Sequence, residues 1–120
     1  MTQLRLVCIT MAGHEYALFD GGFPEGEPRD GEPIGDAARR LVDEWTGTQL
    51  PKLEIVDLLA APGRLTFVMR ALLITEPAST TRKLTRAKRM ELPAKVGSLD
   101  GKYVEEALKT SSSYKLTRTS

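Results

Sequence analysis

Cysteine and histidine are nearly missing from this chain, with one of each in 120 residues. A single cysteine excludes an intramolecular disulfide framework and suits a reducing compartment. Cys8 lies in the apolar run Leu4-Arg5-Leu6-Val7-Cys8-Ile9-Thr10 and reads as a packed core thiol. His14 falls in a turn without a partner at catalytic spacing, so it reads as a solvated turn residue rather than a general base. Long apolar runs are also lacking. The longest nearly charge-free stretch, Leu65 to Thr75, is interrupted by Arg70 and falls well short of the roughly 20 residues that span a bilayer, so no membrane partner is expected. The first residues show no basic region followed by an apolar core and a small-residue cleavage site, which makes the cytoplasm the expected location. Nor does one sign of charge dominate. Seventeen Lys and Arg against sixteen Asp and Glu exclude a polyanion-coating protein and an acidic disordered tail.

What is present suits one core. A hydrophobic content of 41% in 120 residues fills a single compact domain, expected over residues 1–110 with a polar, basic tail at 111–120. The balanced charge hides an asymmetry, because residues 1–50 hold nine acids and four bases while residues 51–120 hold seven acids and thirteen bases. Leu4 to Met11 and Glu15 to Phe19 read as a hairpin, and Leu53 to Ala61 and Leu65 to Thr75 as two further strands joined across Pro62-Gly63. The second of that pair, apolar along nearly its whole length, belongs in the middle of a sheet. Residues 79–95 read as a basic connector with a short edge strand at Met90 to Leu92. A final short helix, capped by Ser98 or Asp100, aligns Leu99, Tyr103, Val104, Ala107 and Leu108 on one face.

Between the first hairpin and the later strands stand a loop and a helix. Asp20 to Gly35 contains five glycines and three prolines in sixteen positions, which forbids a helix there and predicts a long shaped loop. Asp36 favours the positive end of a helix that runs through Ala37-Ala38-Arg39-Arg40-Leu41-Val42-Asp43-Glu44-Trp45-Thr46 and stops at Gly47. Its apolar stripe is Ala38, Leu41, Val42 and Trp45.

This loop and helix together resemble the Nudix box, G-x(5)-E-x(7)-R-E-U-x-E-E-x-G-U, where U is aliphatic. Gly26, Glu32, Arg40, Val42, Glu44 and Gly47 fall at its spacing without a gap. Phe23-Pro24-Glu25-Gly26 is similar to the aromatic-or-leucine, proline, glycine, glycine lead-in of the box, Gly31-Glu32 to its glycine-glutamate pair, and Ala37-Ala38 to the alanines that open its helix. The resemblance covers Phe23 to Thr48. It implies an α/β (α+β) fold, a Nudix-like αβα sandwich with a mixed β-sheet, one main helix from the box and a short C-terminal helix. The chain is short for that fold, with the stretch between the first hairpin and Pro24 clipped.

In the family, glutamates one, four and five positions after the box arginine place three carboxylates on one helical face, where they grip the hard cation Mg²⁺. The metal then polarises a diphosphate and helps to activate water. Here those positions hold Leu41, Glu44 and Trp45, and the closing aliphatic position holds Thr48, with Leu50 able to serve in packing. Two carboxylates have become large apolar groups. The resemblance leaves Glu44 as the catalytic candidate, Glu44 and a weaker Glu32 as metal candidates, and Gly26, Glu32, Arg40 and Gly47 as scaffold.

The expected function is a Nudix-fold protein with a degenerate metal site, weak or inactive as a hydrolase, that retains a nucleotide or diphosphate-binding or assembly role. One alternative is an active Mg²⁺-dependent pyrophosphohydrolase of a nucleoside diphosphate derivative, its metal held by Glu44 with Glu25, Glu27, Glu32 or Glu76. Mg²⁺ is expected only if the site is rebuilt in that way, and otherwise no cofactor. Another is a nucleic-acid or protein-binding adaptor using the basic segment 82–95, with Arg82, Lys83, Arg86 and Arg89 on phosphate. A homodimer is compatible with all three.

Overall fold

The computed structural model describes residues 2–47, 52–73 and 82–110. Its centre is β1 (Gln3–Ala12), which folds back through a turn at Gly13-His14 onto β2 (Glu15–Phe19). A second hairpin, β4 (Lys52–Ala61) with β5 (Arg64–Leu72), turns at Pro62-Gly63 and docks β5 alongside β1 in parallel register from Gln3↔Arg64 to Met11↔Leu72. The far edge is β6 (Leu84–Ala87), antiparallel to β2. The resulting order β4-β5-β1-β2-β6 is a mixed sheet, and β5 takes the interior place that its apolar sequence predicts.

Strand alternation sends neighbouring residues of β1 to opposite faces. Leu6 and Cys8 join Ala17, Phe19, Met69 and Ala71 beneath α1 (Ile34–Thr46), which contributes Ala37, Ala38, Leu41 and Val42. Val7 and Ile9 join Tyr16, Leu18, Phe23 and Val68 on the other face, closed by Val104 and Leu108 of α2 (Gly101–Thr110). Two helices therefore sandwich one sheet, as the resemblance implies. Fully burying such side chains stabilises the fold by about 1.5–3 kcal/mol each. Cys8 is buried completely, and desolvation pushes its thiol up to about 12.

Several local expectations shift. The glycine- and proline-rich segment contains a two-residue strand, β3 (Glu25–Gly26), paired with β1 at Leu6↔Gly26 and Val7↔Glu25. Helix α1 begins at Ile34, two residues before Asp36, because extended Pro33 ends the loop and its carbonyl accepts from the Ala37 N–H at 2.9 Å. Asp36 stays in the first turn, where the helix dipole favours it. Gly47 closes the helix at φ 72° and donates to the Asp43 carbonyl at 2.8 Å. The basic connector hides β6, and residues 89–91 form a 3₁₀ turn in place of the expected edge strand at Met90 to Leu92. This turn is closed on itself: the Glu91 carboxylate accepts from the Lys88 N–H at 2.8 Å. Asp100 rather than Ser98 caps α2, accepting from the N–H groups of Lys102 at 2.8 Å and Tyr103 at 3.4 Å.

A two-stranded ribbon of β7 (Lys95–Val96) and β8 (Leu99–Asp100) leads into α2, which is tied to the sheet where the Tyr103 hydroxyl donates to Asp57 Oδ2 at 2.7 Å. Thr48, Leu50, Glu76 and the tail 111–120 lie outside the described residues. Among the described residues no helix is long and apolar enough to cross a membrane.

Candidate functional site

The pairing of β3 with β1 decides which side of the sheet each loop residue serves. Opposite Leu6, Gly26 faces α1, while Glu25, opposite Val7, faces the α2 side.

On the α1 side, Arg40 is the hub. It grips Glu32 with two parallel bonds, Nε to Oε2 at 3.0 Å and Nη2 to Oε1 at 2.9 Å. It also donates to the Glu27 carbonyl at 3.0 Å and to Glu44 Oε1 at 3.2 Å. The Arg29 N–H adds a bond to Glu32 Oε1 at 2.9 Å. The Arg40 hydrogen bonds, followed by that backbone bond, pull the Glu32 carboxyl down to about 2, and the Glu32 hydrogen bonds in turn raise Arg40. Arg40 and Glu32 thus bolt the loop to the middle of the helix. Glu44 takes part only from one side and is half exposed, so its pair with Arg40 is worth a few tenths of a kcal/mol (~0.3–0.5).

Leu41, at the first of the three family carboxylate positions, is buried under the loop. A Cβ on Gly26 would stand 2.8 Å from Leu41 Cδ2, so the chain passes over this leucine at backbone contact distance. Trp45, at the third position, is partly buried against the α1-side core, and Arg82 lies across its ring at 3.8 Å from guanidinium carbon to centroid. Arg82 also approaches Asp20 Oδ2 at 4.0 Å. Asp20 holds the neighbouring backbone as well, accepting from the Lys83 N–H at 2.8 Å and donating its own N–H to the Lys83 carbonyl at 2.9 Å. Register places Arg86 opposite Ala17 on β6, where it is exposed on the α1 side. The Arg89 side chain lies outside the described residues.

These donors do not fit Mg²⁺, which prefers several converging oxygen ligands. Glu44 and Glu32 share one guanidinium, Glu25 and Glu27 turn away to Arg5 and Gln3, and no group of three His, Cys, Asp or Glu among the described residues is placed to hold a metal. Glu76, offered by the sequence as another ligand, lies outside the described residues.

A second charged cluster on the α2 side is assembled from residues far apart in the sequence. Glu25 pairs there with Arg5 and accepts from the Ser98 N–H, beside a cavity of about 430 Å³. Its one sequence signal was a carboxylate at Glu25, where the family lead-in has glycine.

Solved structures share this architecture. A NUDIX-family hydrolase from Clostridium perfringens superposes with a TM-score of 0.70 at 13% identity, covering 91% of this chain and 97% of its own. MutT, from work on Aliivibrio salmonicida and Vibrio cholerae, gives 0.73 at 14% identity over 87% of this chain and 92% of its own. The NUDIX domain of Shewanella oneidensis NrtR, solved in complex with ADP ribose, gives 0.68 at 14% identity over 91% and 87%. No family model matches the chain, and no curated protein matches it. The chain has the Nudix fold, and at these identities the likeness speaks to fold alone.

Proposed function

We propose that this Nudix-fold chain has turned the cation-gripping face of its box helix into a packing face, and that it binds a nucleotide or diphosphate-bearing ligand without hydrolysing it at ordinary enzyme rates. The carrying observation is the fate of the three carboxylate positions: Leu41 is in the core, Trp45 lies under Arg82, and Glu44 is paired with Arg40. A hydrated cation at this face would meet one screened carboxylate beside a guanidinium, and Arg82 brings further positive charge across the tryptophan. The loop–helix bolt of Glu32 and Arg40 keeps the binding scaffold in shape without the metal.

The test is a Mg²⁺ titration of the purified chain with a panel of nucleoside diphosphate derivatives. ADP ribose heads the panel because the Shewanella domain was solved with it. Ligand binding with turnover far below about 1 s⁻¹ is expected. Turnover at or above that rate, collapsing in Glu44→Gln, would overturn the proposal. In the converse experiment Leu41→Glu and Trp45→Glu together restore three carboxylates to one face, and Mg²⁺ affinity rises.

A further inference from the structure

The Glu25 carboxylate is held as proteins hold a bound anion. One oxygen meets the Arg5 guanidinium, and the other accepts from the Ser98 backbone N–H at 3.2 Å. Gly97, just before Ser98, has φ +60°, and a Cβ there would come 2.6 Å from Glu25 Oε2. The turn between β7 and β8 therefore dispenses with a side chain where the carboxylate comes in. A guanidinium plus a peptide N–H presented by a left-handed turn is a general arrangement for oxyanions.

Both holders also line the 430 Å³ cavity. Its remaining wall brings in a second guanidinium, Arg64, together with Thr66, over an apolar floor that includes Leu59 and Leu99. Arg64 is exposed and makes no ion pair among the described residues. Two cations therefore line one concave, partly apolar site, and one of them, Arg5, is already paired with the Glu25 carboxylate beside it.

We infer that this cavity is a seat for a phosphate oxyanion and that Glu25, standing beside it, is an internal competitor for Arg5 and Ser98, displaced from them when a phosphate-bearing ligand enters. The inference rests on the ligand-binding part of the function proposed above. It adds where the phosphate goes and what competes with it. The carboxylate mimics the ligand's charge, so the empty site stays folded and neutral phosphate-free compounds gain nothing by displacing it. Replacing Glu25 with glutamine keeps its shape and removes the competing charge, leaving Arg5 and Arg64 unopposed.

The experiment is calorimetric titration of the full chain, without metal, with inorganic pyrophosphate and separately with ADP. Glu25→Gln tightens binding about tenfold or more, and adding Arg64→Ala to that variant removes the gain. Arg64→Ala alone, at an exposed position that leaves the fold intact, weakens wild-type binding at least about threefold. An equal gain for both probes assigns a free oxyanion, whereas a larger gain for ADP assigns a nucleotide resting on Leu59 and Leu99. Affinity unchanged or weaker in folded Glu25→Gln overturns the inference, as does affinity that ignores Arg64→Ala. If ADP still binds under those results, the ligand-binding proposal stands while this seat does not. Rapid Mg²⁺-dependent turnover, by contrast, removes the non-hydrolytic reading without touching the seat.

Discussion

Arg82 lies over Trp45 at 3.8 Å, joining the segment before β6 to the helix position where the family resemblance expects a carboxylate. The contact gives a tryptophan at the end of a polar helix something to do. Its ring covers the α1-side core with one part and carries a cation on its face. Trp45→Ala is expected to destabilise the fold by about 2 kcal/mol, less than for a fully buried tryptophan because the ring is partly exposed. Arg82→Ala alone costs about 0.5–1 kcal/mol, and a double-mutant cycle with the pair, read by urea unfolding, shows a coupling of similar size. Additive effects would mean that the stacking contributes nothing.

The Glu32–Arg40 pair predicts a pH signature. The Glu32 carboxyl is depressed to about 2 in the fold from an ordinary value of 4.5, so the folded state binds its proton less readily than the unfolded chain. The stability it supplies is present in full above the ordinary value and is lost as pH falls toward 2. The gap in urea midpoint between wild type and Glu32→Gln is therefore constant near neutrality and closes between about pH 5 and pH 2. A gap that persists at the acid end would assign the effect to shape rather than charge.

Gly26 and Leu41 predict a steric coupling. Gly26→Ala puts a methyl 2.8 Å from Leu41 Cδ2, against the movable end of a side chain in a filled core. The expected cost is about 1–2 kcal/mol. In a Leu41→Ala background, which opens a cavity at the same spot, the added methyl costs much less or stabilises. Equal costs in both backgrounds, measured by thermal unfolding, would place the constraint in the backbone instead.

The Tyr103 hydroxyl bonded to Asp57 is a polar tie between α2 and β4. Burial, then the hydrogen bond to Asp57, raises the Tyr103 hydroxyl above its ordinary value. Tyr103→Phe is expected to cost about 1–1.5 kcal/mol, and faster amide exchange in α2 than in α1 locates the loss.

What the sequence revealed and what it hid differ by range. Pro33 and Gly47 act on their own backbone, and the α1 stripe repeats at the helical period, so the existence of the loop, the helix and its stop at Gly47 is legible in the sequence. The start of α1 lies two residues before Asp36 because Pro33 ends the loop without a side-chain cap, and Asp36 is the only polar signal the sequence offers there. Strand β6 was hidden because it is a short edge, exposed at Leu84, Thr85 and Arg86, and carries no alternation worth reading. The loss of carboxylates at Leu41 and Trp45 was visible, whereas the cation lying on Trp45 comes from Arg82, far along the chain. Glu25, Arg5 and Ser98 were unreadable as a cluster for the same reason: only the β3–β1 pairing and the β7–β8 turn bring them together.

The parallel register of β1 with β5 sets an order of events during synthesis. Residues 3–19 emerge before β5 and can close their hairpin, but the other long flank of β1 finds its partner only when residues 64–72 have left the ribosome. Until then Leu6, Val7, Cys8 and Ile9 wait with an open hydrogen-bonding edge, so a nascent chain whose β5 has not yet emerged is prone to sticking to its neighbours. A pairing between strands so distant in sequence also predicts slow refolding, because the loop must close before the sheet rewards it.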